Sequence, residues 1–154
     1  MSAVDHHGDV PIDAKRCAVL ALHWQVNVIK PEGFFGAMLS EPVARSGVMA
    51  RAARFHRSAR ARGVPVMFTR FTVPAGEGGL VRNTALMRAV GDAQEAFRPE
   101  TPGTQLIEEM SELAEHDHVV DNQKLSGLAV TSCLVGWCSV ASTRCPSPAS
   151  PRTW

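Results

Sequence analysis

The chain has 154 residues, of which 45% are hydrophobic and 20% charged, and its formal net charge is +1 at pH 7. This length suits one domain with a buried core, and the composition excludes a chain that is disordered throughout. The near-zero charge gives no electrostatic basis for a nucleic-acid or anionic-membrane partner, and no apolar run approaches the roughly 20 residues that span a bilayer. Residues 1–13 lack the apolar core of a secretory signal, so we expect a cytoplasmic location.

The first predicted element after the N-terminus is a strand. Residues 1–14 are polar and mixed in charge, which predicts a flexible arm. Cys17–Leu22 is a short, continuous apolar run, typical of a strand covered on both faces. The proline and glycines of 31–36 then predict a loop.

A helix is predicted over Glu41–Arg62, with Gly63 as its stop. Its apolar residues recur at helical spacing: Ala44, Val48, Ala52, Phe55 and Ala59. Five arginines lie between them: Arg51, Arg54, Arg57, Arg60 and Arg62. They could form a phosphate-binding face, but no aromatic residues interleave for base stacking, so we interpret them as the solvated face of an amphipathic helix.

Two further strands follow the helix. Val64–Arg70 is apolar and places its proline near the start, where a missing N–H is tolerated. A glycine-rich loop and a mixed segment then lead to Pro99. A helix after Gly103 is predicted from Leu106, Ile107, Met110 and Leu113, and a short strand from His118–Asp121. Strand, helix and strand in this order predict an α/β fold with a parallel sheet.

Three stretches together resemble the isochorismatase-like superfamily of cysteine hydrolases. Val19-Leu-Ala-Leu-His-Trp-Gln25, followed by Val26 and Asn27, is similar to the family's opening strand and its D-x-Q-x-D/N. Gly63–Thr69 matches the strand after the first helix. Thr101-Pro-Gly103, a helix and then Val119–Leu128 match a region that ends in K-x-R-x-S-A/G-F. The order and spacing of the three carry the resemblance.

This resemblance covers residues 15–131, taken as the N-terminal part of the hydrolase domain. It implies a three-layer α/β/α fold, here with a sheet that is incomplete at its C-terminal end. It also implies a triad of Asp as general base, Lys as charge stabiliser and Cys as nucleophile.

The triad positions carry other residues in this chain. His23 stands at the Asp position and Asn122 at the Lys position, while Lys124 falls on the family's Arg position. Histidine can take a proton, and Lys124 is a candidate substitute because residues two apart on a strand share a face. Gln25 and Asn27 are candidate substrate-binding residues, with the ordering of the loop as their alternative role.

No metal ligands or cofactor-binding residues are expected. Thr69–Pro74 lacks the Asp and His of the family's metal-binding members, and the cysteines form no C-x-x-C pair. Cys17 is predicted to be a small buried side chain. Cys133, Cys138 and Cys145 do not follow a strand of the family's type, so the nucleophile is unassigned.

The amino-acid composition and periodicity of the chain change after Thr131. Residues 132–154 are rich in Ser, Pro, Arg and Cys without a period of 2 or 3.6, which predicts an irregular, disordered tail. A sharper hypothesis is a frameshift from about Val135, natural or from a sequencing error. Codons shifted by one base over Ser142–Trp154 can spell V-D-T-V-S-L-T-G-V-A-T-N-V, the type of strand that precedes the family's cysteine.

The sequence therefore predicts a family member that acts on a small molecule and that is inactive as this chain stands. The ancestral substrate class is a small amide or an isochorismate-like molecule. The alternative is a non-catalytic relative that binds a small molecule or forms a homo-oligomer. A flavodoxin-like regulatory domain shares the generic βα units, but it would need an acidic cluster or a flavin-binding loop.

Overall fold

The computed structural model describes residues 13–76, 80–114 and 117–124, which form a parallel sheet with helices. In these ranges the strands are β1 (Val19–Leu22), β2 (Val66–Phe71) and β3 (His118–Asn122). The α-helices are α1 (Val26–Ile29), α2 (Gly36–Ser46), α3 (Val48–Ala61), α4 (Ala85–Asp92) and α5 (Glu108–Ala114). Short 3-10 helices cover Ala14–Arg16, Gln94–Phe97 and Pro102–Thr104. The predicted arm up to residue 12, the tail and its frameshift lie outside the described residues.

The sheet has the order β1-β2-β3 and both strand pairs are parallel, so the predicted α/β class is confirmed. Ala21 pairs with Phe68, which pairs in turn with Val119. Because the strands run in one direction, their carboxyl ends meet at one edge of the sheet. The residues that follow β1, β2 and β3 therefore lie at this edge of the sheet.

One face of the sheet packs on α3 and α5 to form the main core. Ala21 of β1 and the β2 residues Val66 and Phe68 are all buried there. They meet Ala53 and Ala59 of α3 and, from the α5 region, Ile107 and Met110. The burial of Ile107 and Met110 agrees with the predicted apolar face, although α5 itself begins only at Glu108.

The first strand is less covered than predicted. It begins at Val19 instead of Cys17, and Cys17 is only half-buried. Ala21 is fully buried, whereas Leu22 is 44% exposed. The expectation of cover on both faces was therefore wrong at the end of this strand.

The single helix predicted over Glu41–Arg62 was wrong, because the structure has two helices that meet at Gly47. Gly47 adopts φ 65°, a left-handed conformation that ends α2 and precedes α3. The buried face of α3 also differs from the predicted one, although Ala59 is buried as predicted. His56 is buried, whereas Phe55 is 57% exposed.

The segment before Pro99 contains a helix that the sequence pattern did not predict. Thr84 begins α4 by accepting a hydrogen bond on its side-chain oxygen from the Met87 N–H at 3.1 Å. Similarly, Val26–Ile29 is helical and α2 starts at Gly36, inside the predicted loop. These additional helices carry residues that line the pocket described below.

The arginine side chains of α3 are arranged mainly as predicted. Arg51, Arg54, Arg57 and Arg62 are exposed to solvent. Arg60 instead lies 3.3 Å from the carboxylate of Asp117, just before β3. Among the helices of the described ranges, none combines the length and hydrophobicity needed to cross a membrane.

Candidate functional site

His23 lies at the carboxyl end of β1, where the chain leaves the sheet. Its backbone N–H donates to the Thr69 carbonyl at 3.1 Å, and its φ is 55°. This left-handed conformation is uncommon for a residue with a Cβ, and in proteins it concentrates in turns and functional sites. The imidazole lies edge-on to Phe71, with 6.4 Å between ring centroids. The structure therefore places the predicted base at the edge of the sheet where the strands end.

Gln25 extends the pairing of β1 with β2 after the backbone has turned away. Its Oε1 accepts from the Phe71 N–H at 2.6 Å and its Nε2 donates to the Phe71 carbonyl at 3.0 Å. The same Nε2 donates to the Thr104 carbonyl at 3.0 Å. Because a carboxamide has the donor and acceptor of a peptide group, this buried side chain acts as one more ladder position.

Asn27 is also fully occupied by backbone groups. Its Nδ2 donates to the Ala96 carbonyl at 2.8 Å, and its Oδ1 accepts from the Phe34 N–H at 3.2 Å. The amide lies directly against the backbone of Gly103, at a spot where any Cβ would overlap with it. Asn27 thus joins the segment after β1 to the Thr101-Pro-Gly103 turn. Substrate binding by Gln25 and Asn27 stays a prediction.

Asn122 ends β3 and is buried at the same sheet edge as His23. Its Oδ1 accepts from the Lys124 N–H at 3.0 Å, whereas its buried Nδ2 has no hydrogen-bond partner among the described residues. Because β2 lies between β1 and β3, the backbones at His23 and Asn122 are about 10 Å apart, two strand spacings. The topology brings the two predicted positions to one edge without direct backbone pairing.

An apolar pocket of about 250 Å³ opens beside His23. The sheet end contributes Phe71, and α4 contributes Leu86, Met87 and Val90. No polar atom of the described lining residues is exposed at its wall, so His23 contributes carbon atoms there. Its Nδ1 is buried.

The remaining described residues that line the pocket are also apolar. Met38 and Leu39 of α2 line it, as do Val28 and Phe35. Phe97 is 1% exposed and lies at the centre of an aromatic cluster, 5.7 Å from Phe71 between ring centroids, edge-to-face. Edge-to-face packing is a favourable arrangement of aromatic rings, and here it holds Phe97 against Phe71 beside the pocket.

Charged side chains of this region are engaged near the sheet edge rather than in the pocket wall. Arg70 forms two hydrogen bonds with Asp121 across β2 and β3, at 2.7 and 2.9 Å. Arg98 donates to the carbonyls of Val73 and Pro74, at 3.1 and 2.7 Å, and thereby holds the segment after β2. In the part of the wall that the structure describes, no charged group faces the pocket.

Cys17 is the one cysteine within the described residues, and it lies at the wrong end of β1 for an attack near His23. The two positions are six residue steps apart along an extended chain, which corresponds to about 20 Å. Cys133, Cys138 and Cys145 lie outside the described residues. In the described ranges no three His, Cys, Asp or Glu side chains converge on a metal position.

Apart from His23, the pocket-lining residues are not among the predicted site residues, because the segments around them were interpreted as a loop or as a mixed segment without a helical pattern. One usable signal was the spacing of Leu86, Met87 and Val90, which puts three apolar side chains on one helical face. Thr84 immediately before them is a suitable N-cap. Phe35 and Phe97 carried no such signal, because only the folded chain brings them together.

Comparison with known families matches residues 17–134 to the isochorismatase domain. Among solved structures, a cysteine hydrolase from Pseudomonas syringae pv. phaseolicola 1448A is similar, with a TM-score of 0.59 and 21% sequence identity. The superposition covers 82% of this chain and 57% of that one, so this chain spans little more than half the length of its structural neighbour. A search of curated proteins gave no match.

Proposed function

The chain belongs to the isochorismatase-like family, and from this premise we propose that it binds a small molecule in the pocket beside His23 without hydrolysing it. The observation that carries the proposal is the wall of that pocket, because the lining residues that the structure describes present carbon and sulfur atoms where a hydrolase needs polar groups. General bases and charge-stabilising donors act only when they reach the reacting atoms.

Two further features support the absence of turnover. His23 and Asn122 occupy the positions at which the family resemblance implies Asp and Lys, and an uncharged amide cannot stabilise a developing anion as an ammonium does. Cys17 is the one cysteine among the described residues, and it lies about 20 Å from His23. Lys124, two residues after Asn122 along the chain, is the proposed substitute cation if any activity persists.

The test is an activity assay of the purified chain with isochorismate and a panel of small amides. We expect no ammonia release and no loss of the vinyl ether above the uncatalysed rate. Binding is measured separately as an increase in Tm, since a ligand at 100 times its Kd stabilises the folded state by about 2.7 kcal/mol. Hydrolysis that is lost in His23→Ala would contradict the proposal and identify an enzyme with His23 as its base.

The family match ends at residue 134, close to the position at which the frameshift hypothesis begins. We therefore keep as a proposal that residues 135–154 are a shifted reading of the family's second half. Sequencing of the coding DNA decides it, because the shifted frame must spell the predicted strand and continue into a cysteine. Mass spectrometry of the C-terminal peptide then shows which frame is translated.

We also propose that the chain forms a homo-oligomer and that it is located in the cytoplasm. Leu22 and Val119 are 44% and 41% exposed on the sheet, and apolar side chains in such positions favour contact with a second chain. Light scattering coupled to size-exclusion chromatography measures the mass in solution. A monomer that unfolds in one cooperative transition would contradict the expected self-association.

A further inference from the structure

We propose that the pocket beside His23 selects a neutral, single-ring apolar molecule and rejects an anion of the same shape. The proposal rests on the proposed function, because it takes the pocket as the site of small-molecule binding. It narrows the substrate class: an isochorismate-like molecule, which carries carboxylates, becomes a poor ligand for this chain.

The size of the pocket supports a single ring. A dry apolar cavity of about 150 Å³ holds benzene. The pocket here measures about 250 Å³, so it accommodates one ring with a small apolar substituent. Phe71 and Phe97, 5.7 Å apart between ring centroids, both line the pocket, and aromatic side chains pack favourably against an aromatic ring.

The charge environment supports the rejection of an anion. A carboxylate that leaves water needs a cation or several hydrogen-bond donors in the pocket. The guanidinium of Arg70 is paired with Asp121, and the Arg98 guanidinium is held by the Val73 and Pro74 carbonyls. The described wall supplies no polar atom in their place. An anionic ligand would therefore lose its hydration without compensation.

The rim of the pocket provides positions at which the site can be blocked without disturbing the core. Met38 is 70% exposed and Leu86 is 42% exposed, yet both line the pocket. Replacement of either by Trp fills the opening from the solvent side. Phe55, which is 57% exposed on α3 and does not line the pocket, offers a matched control as Phe55→Trp.

The experiment compares fluorobenzene with 4-fluorobenzoate as probes of the full chain by ¹⁹F NMR. We expect fluorobenzene to bind at least tenfold more tightly, Leu86→Trp to weaken it at least tenfold, and Phe55→Trp to leave it unchanged. Circular dichroism melts verify that each variant is folded. If Leu86→Trp fails to fold, Met38→Trp makes the same test at a more exposed position.

The remaining outcomes separate this proposal from the one on which it rests. Tighter binding of 4-fluorobenzoate that Leu86→Trp abolishes would overturn the neutral ligand class and leave small-molecule binding intact. Binding of neither probe, or binding that no rim variant changes, would overturn the ligand assignment of this pocket. Turnover of an amide would overturn the proposed function, while the preference between the two probes would still be decided by NMR.

Discussion

The side-chain amide of Gln25 takes the place of a β1 backbone group as the partner of Phe71. The Gln25 Oε1 accepts from the Phe71 N–H at 2.6 Å, and the Gln25 Nε2 donates to the Phe71 carbonyl at 3.0 Å. Both hydrogen bonds are buried. The arrangement follows from the turn at His23, where a φ of 55° directs the backbone away from β2 before the chain reaches Gln25. Gln25 therefore holds β2 at the point where the pocket begins.

Truncation of this side chain should destabilise the fold strongly. Gln25→Ala leaves the Phe71 N–H and carbonyl unpaired in a buried position and opens a cavity, so we expect a loss of about 2–4 kcal/mol in the free energy of unfolding. Urea denaturation measures the loss. Gln105→Ala, at an exposed glutamine, is the control, and equal effects of the two substitutions would contradict this account.

Gly103 should tolerate no side chain while Asn27 is present. A Cβ at this position overlaps with the Asn27 amide, and overpacking of this kind costs about 1–3 kcal/mol. We expect Gly103→Ala to destabilise the chain, and a double-mutant cycle with Asn27→Ala to show a non-additive coupling. Additive effects would mean that the two residues do not constrain each other.

A glycine should be required at position 47 because of the left-handed backbone conformation, and not because a side chain would lack space. A Cβ there would meet only the Arg51 guanidinium at 3.5 Å, an ordinary contact, but φ is 65°. Gly47→Ala should therefore cost about 1–2 kcal/mol, the penalty of a left-handed residue with a Cβ. Gly76→Ala has open space around it and no positive φ, so it serves as the control in the same denaturation experiment. A neutral result for Gly47→Ala would contradict the break between α2 and α3.

His56 should make the stability fall in mild acid. Burial lowers the pKa of its imidazole below 6.5, because the charged form loses its hydration among Trp24, Phe55 and Phe68. The unfolded chain then binds a proton near pH 6.5 that the folded chain does not yet take up. Stability is therefore complete above about pH 7 and decreases below it, by at most about 1.4 kcal/mol per pH unit.

The pH dependence is measured as Tm between pH 5 and 8. His56→Leu should remove this part of the slope, whereas substitution of the exposed His118 by Gln should leave it unchanged. A slope that persists in His56→Leu would assign the effect to other groups.

The sequence predicts the sheet well and the residues around it less well. Val66–Phe71 begins with three apolar residues and is buried on both faces, which is typical of a central strand, and parallel pairing then brings His23 and Asn122 to one edge. The break at Gly47 was missed because one glycine inside a helical pattern is usually tolerated at a cost of about 1 kcal/mol. The reciprocal bonds of Gln25 were beyond prediction, since they depend on a turn that local propensity does not indicate.

Gly47, in its left-handed conformation, lies between two helices that have different roles. Met38 and Leu39 of α2 line the pocket, whereas Ala53 and Ala59 of α3 lie in the main core. Substitutions on the first helix can thus alter which compounds are accepted while the second keeps the scaffold intact. For directed evolution, a randomised library confined to Met38 and Leu39 would vary ligand preference while leaving the main core and the closely packed Gly36 unchanged.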